Sequence, residues 1–131
     1  MALPSGVEFD VVSDREAAAR SCQIVRRYLD EALFGGAERA LLATIGDPQL
    51  AERAWLFWAA FAERSLDEID VLFANADGSR VACHLTGTAK QVGPWVTSAS
   101  PTTTNNMVMI ECTGTYVIAD GKITNFRETW R

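Results

Sequence analysis

One histidine, three cysteines and 12 basic residues against 17 acidic ones leave this chain poor in the groups that most often announce a function. The lone histidine, His84, and the lack of any clustered ligand triad argue against a built-in metal site. Cys22, Cys83 and Cys112 lie far apart within apolar periodic segments, without C-x-x-C spacing, and read as free core thiols in a reducing cytoplasm. A net charge of −5 argues against nucleic acid or an anionic membrane as the main partner, because both reward a basic surface. No stretch approaches the roughly 18 consecutive apolar residues of a membrane span. The start, MALPSGVEFDVV, lacks the basic residues and long apolar run of a secretory signal.

What is present is a chain of 131 residues with 48% hydrophobic content, enough for one domain with a real core. We read residues 1–12 as a flexible N-terminal arm and 13–131 as a single domain. Ser13 and Glu16 form an S-x-x-E capping box for a helix that runs to Phe34 and stops at Gly35-Gly36. Ala18, Cys22, Val25, Leu29 and Leu33 recur along it at helical spacing, with Tyr28 on the flank. A short second helix over 37–45 precedes Gly46-Asp47-Pro48, where Asp47 caps and Pro48 begins a third helix through about Arg64. From Leu66 the period becomes two, which predicts strands at 68–75, 79–90, 106–118 and 122–130. Asp77-Gly78 and Asp120-Gly121 supply tight turns, and 93–106 is a Gly/Pro/Ser/Thr-rich loop. Helices followed by an antiparallel meander make an α+β domain.

The closing hairpin ECTGTYVIADGKITNFRETW, residues 111–130, together with SRVACHLTGTAK, residues 79–90, resembles the SnoaL-like branch of the NTF2-like superfamily. The resemblance covers about residues 14–131. It implies a cone in which N-terminal helices pack on a curved antiparallel sheet and enclose a pocket. It also implies a homodimer through the outer sheet face. One departure is that LLATIGDPQL stands where relatives carry an extra short strand with a His-Pro or Asp-Pro pair, so any catalytic group placed there is missing.

Three residues are candidates for catalysis. Glu128 shares a strand face with Thr124, Phe126 and Trp130, and it matches the position of an aspartate in epoxide-hydrolase relatives. It is either a pocket acid or base with a raised pKa, or a carboxylate paired with Arg127, Arg131 or another chain. His84 alternates with Thr86 and Thr88 on a mixed polar strand face, which the resemblance turns toward the pocket and a simple half-buried sheet would turn outward. Those relatives carry an Arg and an Asp at the positions of His84 and Thr86, and both charges are missing here. Tyr28 lies in IVRRYLDEA, similar to the first-helix segment of ketosteroid isomerases, where a tyrosine hydroxyl donates to an enolate oxygen. The companion carboxylates have no match, one position falling near Cys112 or Thr113, so Tyr28 is either that donor or a core aromatic.

The implied pocket would be walled by Trp55, Trp58, Phe61, Trp95, Ile110, Cys112, Phe126 and Trp130, with Thr86 and Thr88. Aromatic-rich cores and dimer interfaces use the same residue types. Asp70 and Glu111 are either intrusive acids or groups facing solvent or a subunit contact. The resemblance implies a cofactor-independent cyclase or isomerase of a bulky apolar, polyketide-like intermediate, working by acid–base chemistry or by templating a reactive conformer. The competing class is a noncatalytic small-molecule binder or dimeric accessory protein on the same fold.

Overall fold

The computed structural model describes residues 5–36, 44–95 and 105–131, with side chains from residue 15 onward. Helix α1, Ser5–Arg27, continues without a break into a π-helical segment, Tyr28–Phe34. The helix thus starts eight positions before Ser13. The capping box lies inside it, and residues 5–12 are helical where an arm was expected. The glycine stop holds: the Gly35 N–H donates to Asp30 O at 2.8 Å and the Gly36 N–H to Ala32 O at 3.1 Å, with Gly36 at φ 68°. Wider π-helical turns bring Tyr28, Leu29, Ala32, Leu33 and Phe34 all to buried positions. The helix expected over 37–45 lies mostly outside the described residues.

Helix α2, Pro48–Ala60, begins on Pro48 as expected, although the Asp47 side chain makes no capping hydrogen bond. It ends four residues before Arg64, because Phe61 turns to extended backbone and enters the sheet. Strand β1 is therefore Phe61–Ala74, followed by β2, Arg80–Gln91, β3, Met107–Ala119, and β4, Lys122–Trp130. Phe-Ala-Glu-Arg-Ser favours helix locally, but Phe61 pairs with Gln91 and Ala62 with Lys90, and that long-range pairing decides the conformation.

The four strands form an antiparallel sheet in sequence order. Three register shifts in β1 and one in β4, at Thr124, bend it. Asp120 at φ 53° and Gly121 at φ 74° make the β3–β4 turn, both positive as a two-residue hairpin of right-handed twist requires. The helices cover one sheet face. Val81, Cys83 and Leu85 of β2 and Ile110, Cys112 and Tyr116 of β3 point toward them and are buried with Val25, Leu29, Leu50 and Phe57. The second turn anchors α1: Ser21 Oγ donates to Gly78 O at 2.5 Å, and any Cβ at Gly78 would run into Ala17 O. This is the α+β architecture expected.

Candidate active site

Glu128 stands at the centre of the helix-covered face. On β4 it shares a face with Phe126 and Trp130, which pair with Tyr116 and Cys112 of β3, while Glu128 itself pairs with Gly114. Its side chain is wholly inaccessible to solvent, although its backbone on the edge strand keeps some exposure. Two phenols meet the same carboxylate oxygen. Tyr116 Oη donates to Oε2 at 2.8 Å and Tyr28 Oη to Oε2 at 3.0 Å. Gly114 makes this possible, because a Cβ there would overlap the Tyr116 hydroxyl.

The other oxygen, Oε1, has no hydrogen-bond partner; Arg53 Nε lies 3.7 Å away. Arg53 reaches in from α2, one turn before Phe57, and its guanidinium lies 5.9 Å from the Trp95 ring centroid and 5.6 Å from that of Phe126. Burial raises the pKa of Glu128, opposed by the Tyr116 hydrogen bond, the Arg53 charge and the Tyr28 hydrogen bond. Burial and, after it, the Glu128 charge push both phenols well above their ordinary value, so they remain hydrogen donors. The Cys112 thiol is raised for the same two reasons and is held protonated.

An aromatic wall adjoins the carboxylate. Phe57 lies 5.1 Å from Trp130 and 5.6 Å from Trp95 between ring centroids, and Phe61 lies 5.6 Å from Trp95. Such tilted and edge-on contacts are the favoured ones for aromatic pairs. Trp95 and Trp130 meet edge-on at 5.5 Å and 85°.

Of the residues singled out from sequence, Glu128, Tyr28, Phe61, Trp95, Ile110, Cys112, Phe126 and Trp130 all belong to this helix-covered side. Others do not. His84, Thr86 and Thr88 occupy the outer sheet face, since the apolar set of β2 takes the helix side. His84 Nε2 lies 2.9 Å from Glu111 Oε1, and that hydrogen bond is the main cause of a lowered Glu111 pKa. Asp70 pairs with His84 on the same outer face. Trp58 Nε1 donates to Ala32 O and Leu33 O, both at 3.0 Å, which ties α2 to the π-helical segment, and Trp55 is 51% exposed. The loop over 93–106 lies outside the described residues at 96–104.

Two residues of the site escaped the sequence reading. Tyr116 shares the period-two face of Ile110 and Cys112, and Arg53 stands three residues after Leu50 and four before Phe57 on the apolar side of α2. Both signals are present in the spacing. Among the described residues no three His, Cys, Asp or Glu side chains converge as metal ligands, and no helix is long and apolar enough to cross a membrane.

No family model matches the chain, and no curated protein matches it. Solved structures do. A candidate polyketide cyclase from Silicibacter sp. TM1040 superposes with a TM-score of 0.66 at 16% identity over 85% of this chain and 88% of that one. A candidate SnoaL-like polyketide cyclase from Jannaschia sp. CCS1 gives 0.62 at 20% identity over 86% of both chains. A phenazine biosynthesis-related protein from Pseudomonas aeruginosa gives 0.63 at 16% identity over 92% of this chain and 84% of that one. At such identities the likeness establishes architecture and leaves chemistry open. With helices on one face of a bent four-stranded meander and these neighbours, the chain has the SnoaL-like form of the NTF2-like fold.

Proposed function

We propose that the protein is a cofactor-independent cyclase or isomerase acting on a bulky apolar, polyketide-like carbonyl compound, with Glu128 as its proton carrier. The observation that carries this reading is the asymmetry of the buried carboxylate. Oε2 accepts from two tyrosines, whereas Oε1 has Arg53 nearby but no hydrogen bond. A carboxylate fixed through one oxygen presents the other for proton transfer, and burial brings its pKa nearer the range useful at neutral pH. In the ionised form Oε1 takes a proton from the carbon next to a carbonyl and leaves an enolate. Isomerisation returns that proton at another carbon. Cyclisation uses the enolate carbon to attack a second carbonyl, and the alkoxide formed takes the proton back.

The names of the neighbours agree with this substrate class. Tyr28, whose hydroxyl donates to Glu128 Oε2, serves in this reading to orient the base. On the outer face Met109 is 82% exposed and Met107 and Phe73 are each 57% exposed, which supports a homodimer through that face. Free Cys22, Cys83 and Cys112 suit the cytoplasm.

The test is deuterium uptake from D2O by 2-tetralone, an apolar bicyclic enolisable ketone. Wild type is expected to accelerate exchange, and Glu128→Gln to lose about two to four orders of magnitude of the excess rate. A wild type that exchanges no faster than buffer, or a Glu128→Gln variant as fast as wild type, overturns the proton-carrier reading.

A further inference from the structure

With the Tyr28 hydroxyl held by Glu128, an enolate formed here needs other donors for its oxygen. Three buried side-chain polar atoms among the described residues have no hydrogen-bond partner: Glu128 Oε1, Trp95 Nε1 and Trp130 Nε1. They belong to one neighbourhood. Trp130 follows Glu128 by two residues on the same face of β4, near enough for its indole to favour the ionised carboxylate although no well-formed hydrogen bond joins them. The Trp95 ring is 5.5 Å from that of Trp130, and Arg53 touches both the carboxylate and the Trp95 ring.

Buried N–H groups are seldom left unpaired, because each has given up its hydrogen bond to water. The same fold pairs an indole fully where structure alone is at stake: Trp58, less deeply buried, donates to two carbonyls. Trp95 and Trp130 are 2% and 5% exposed and make no well-formed hydrogen bond. An indole nitrogen only donates, so the complement of these two groups is an acceptor oxygen; the complement of Oε1 is an acidic hydrogen. One apolar molecule bearing a carbonyl beside an acidic C–H supplies all three.

We propose that the indole N–H groups of Trp95 and Trp130 hold the substrate's carbonyl oxygen and bear its charge as the enolate forms. This rests on the reading of Glu128 as the base, and it narrows the substrate to an enolisable apolar ketone. Fixed donors inside an aromatic wall act where water does not compete, and they need no reorganisation as charge develops.

The experiment uses 2-naphthol, which carries the enol oxygen of 2-tetralone on a flat aromatic frame. Indole N–H resonances of the 15N-labelled full chain are followed during titration, assigned with single Trp→Phe variants. Trp95 and Trp130 are expected to move downfield while Trp58 stays in place, and Trp95→Phe and Trp130→Phe are each expected to weaken binding by about 10- to 100-fold. Bound naphthol with both resonances unmoved overturns the proposal, as does failure to perturb any indole at the solubility limit. A fold defect in a variant does not decide the test, because the first outcome is read from the resonances of the wild-type protein. Unmoved indoles with exchange lost in Glu128→Gln would keep the base and remove the donors. Moved indoles with full exchange in Glu128→Gln would remove the base and keep the donors as a binding site.

Discussion

Tyr28 and Tyr116 stand edge to face, ring centroids 5.8 Å apart at 66°, and both hydroxyls end on Oε2 of Glu128. One phenol comes from the π-helical segment and the other from β3, so the carboxylate is clamped between the helical layer and the sheet. The clamp engages Oε2 and leaves Oε1 with Arg53 nearby and no hydrogen bond.

Removing either phenol should raise the Glu128 pKa further, because each hydroxyl favours the ionised carboxylate. The Tyr116 contribution is the larger, so Tyr116→Phe should shift the acidic limb of the 2-tetralone exchange profile to higher pH by more than Tyr28→Phe does. A pH–rate series on the two variants measures the order. The reverse ranking would contradict the assigned roles.

Stability should depend on pH with a sign set by Glu128. Its folded pKa exceeds the ordinary 4.5, so between that value and the folded pKa the native state binds more protons than the unfolded chain. Wild type should therefore lose stability relative to Glu128→Gln as pH rises through this window, and the difference should be constant below it. Urea unfolding of both proteins at a series of pH values reads it out. Wild type gaining stability relative to Glu128→Gln as pH rises would reverse the burial argument.

Gly114→Ala should cost about 1 to 3 kcal/mol, because the new methyl overlaps the Tyr116 hydroxyl and a packed interior does not absorb the volume. It should also part Tyr116 from Glu128 and reproduce the pKa effect of Tyr116→Phe. Chemical denaturation and the exchange profile test the two halves separately.

His84→Ala should leave 2-tetralone exchange at the wild-type rate, since the imidazole lies on the opposite sheet face from Glu128. The same change should raise the Glu111 pKa, whose depression comes first from the His84 hydrogen bond. Carboxyl NMR titration follows Glu111. A large loss of exchange would return His84 to the catalytic set.

The face of β4 was legible in the sequence, because period two alone puts Phe126, Glu128 and Trp130 together. The turn at Asp120-Gly121 and the end of the first helical run at Gly35-Gly36 were legible too, being local backbone chemistry. What could not be read was set by distant partners. The residues from Phe61 to Ser65 look helical until Gln91 and Thr88 are brought alongside. For β2, period two defines two faces without saying which one the helices cover; the apolar set wins, and His84 goes outside. Arg53 was overlooked because a charge within an apolar helical stripe reads as surface, whereas here the guanidinium is shielded by Trp95 and Phe126 beside a carboxylate.

The hairpin of β3 and β4 has a consequence for how the site assembles as the chain folds. Tyr116 and Glu128 are 12 residues apart in sequence and lie on adjoining strands of one hairpin, whereas Tyr28 is 100 residues from Glu128. Closing the longer loop costs about 2 kcal/mol more in chain entropy, by the slow logarithmic growth of that cost with length. On chain entropy alone, the first phenol is expected to reach its carboxylate when the last hairpin zips, before the N-terminal helix docks. The Tyr28 hydroxyl bonds Glu128 only when the helical layer lies on the sheet, so that one hydrogen bond reports the docking of the two layers.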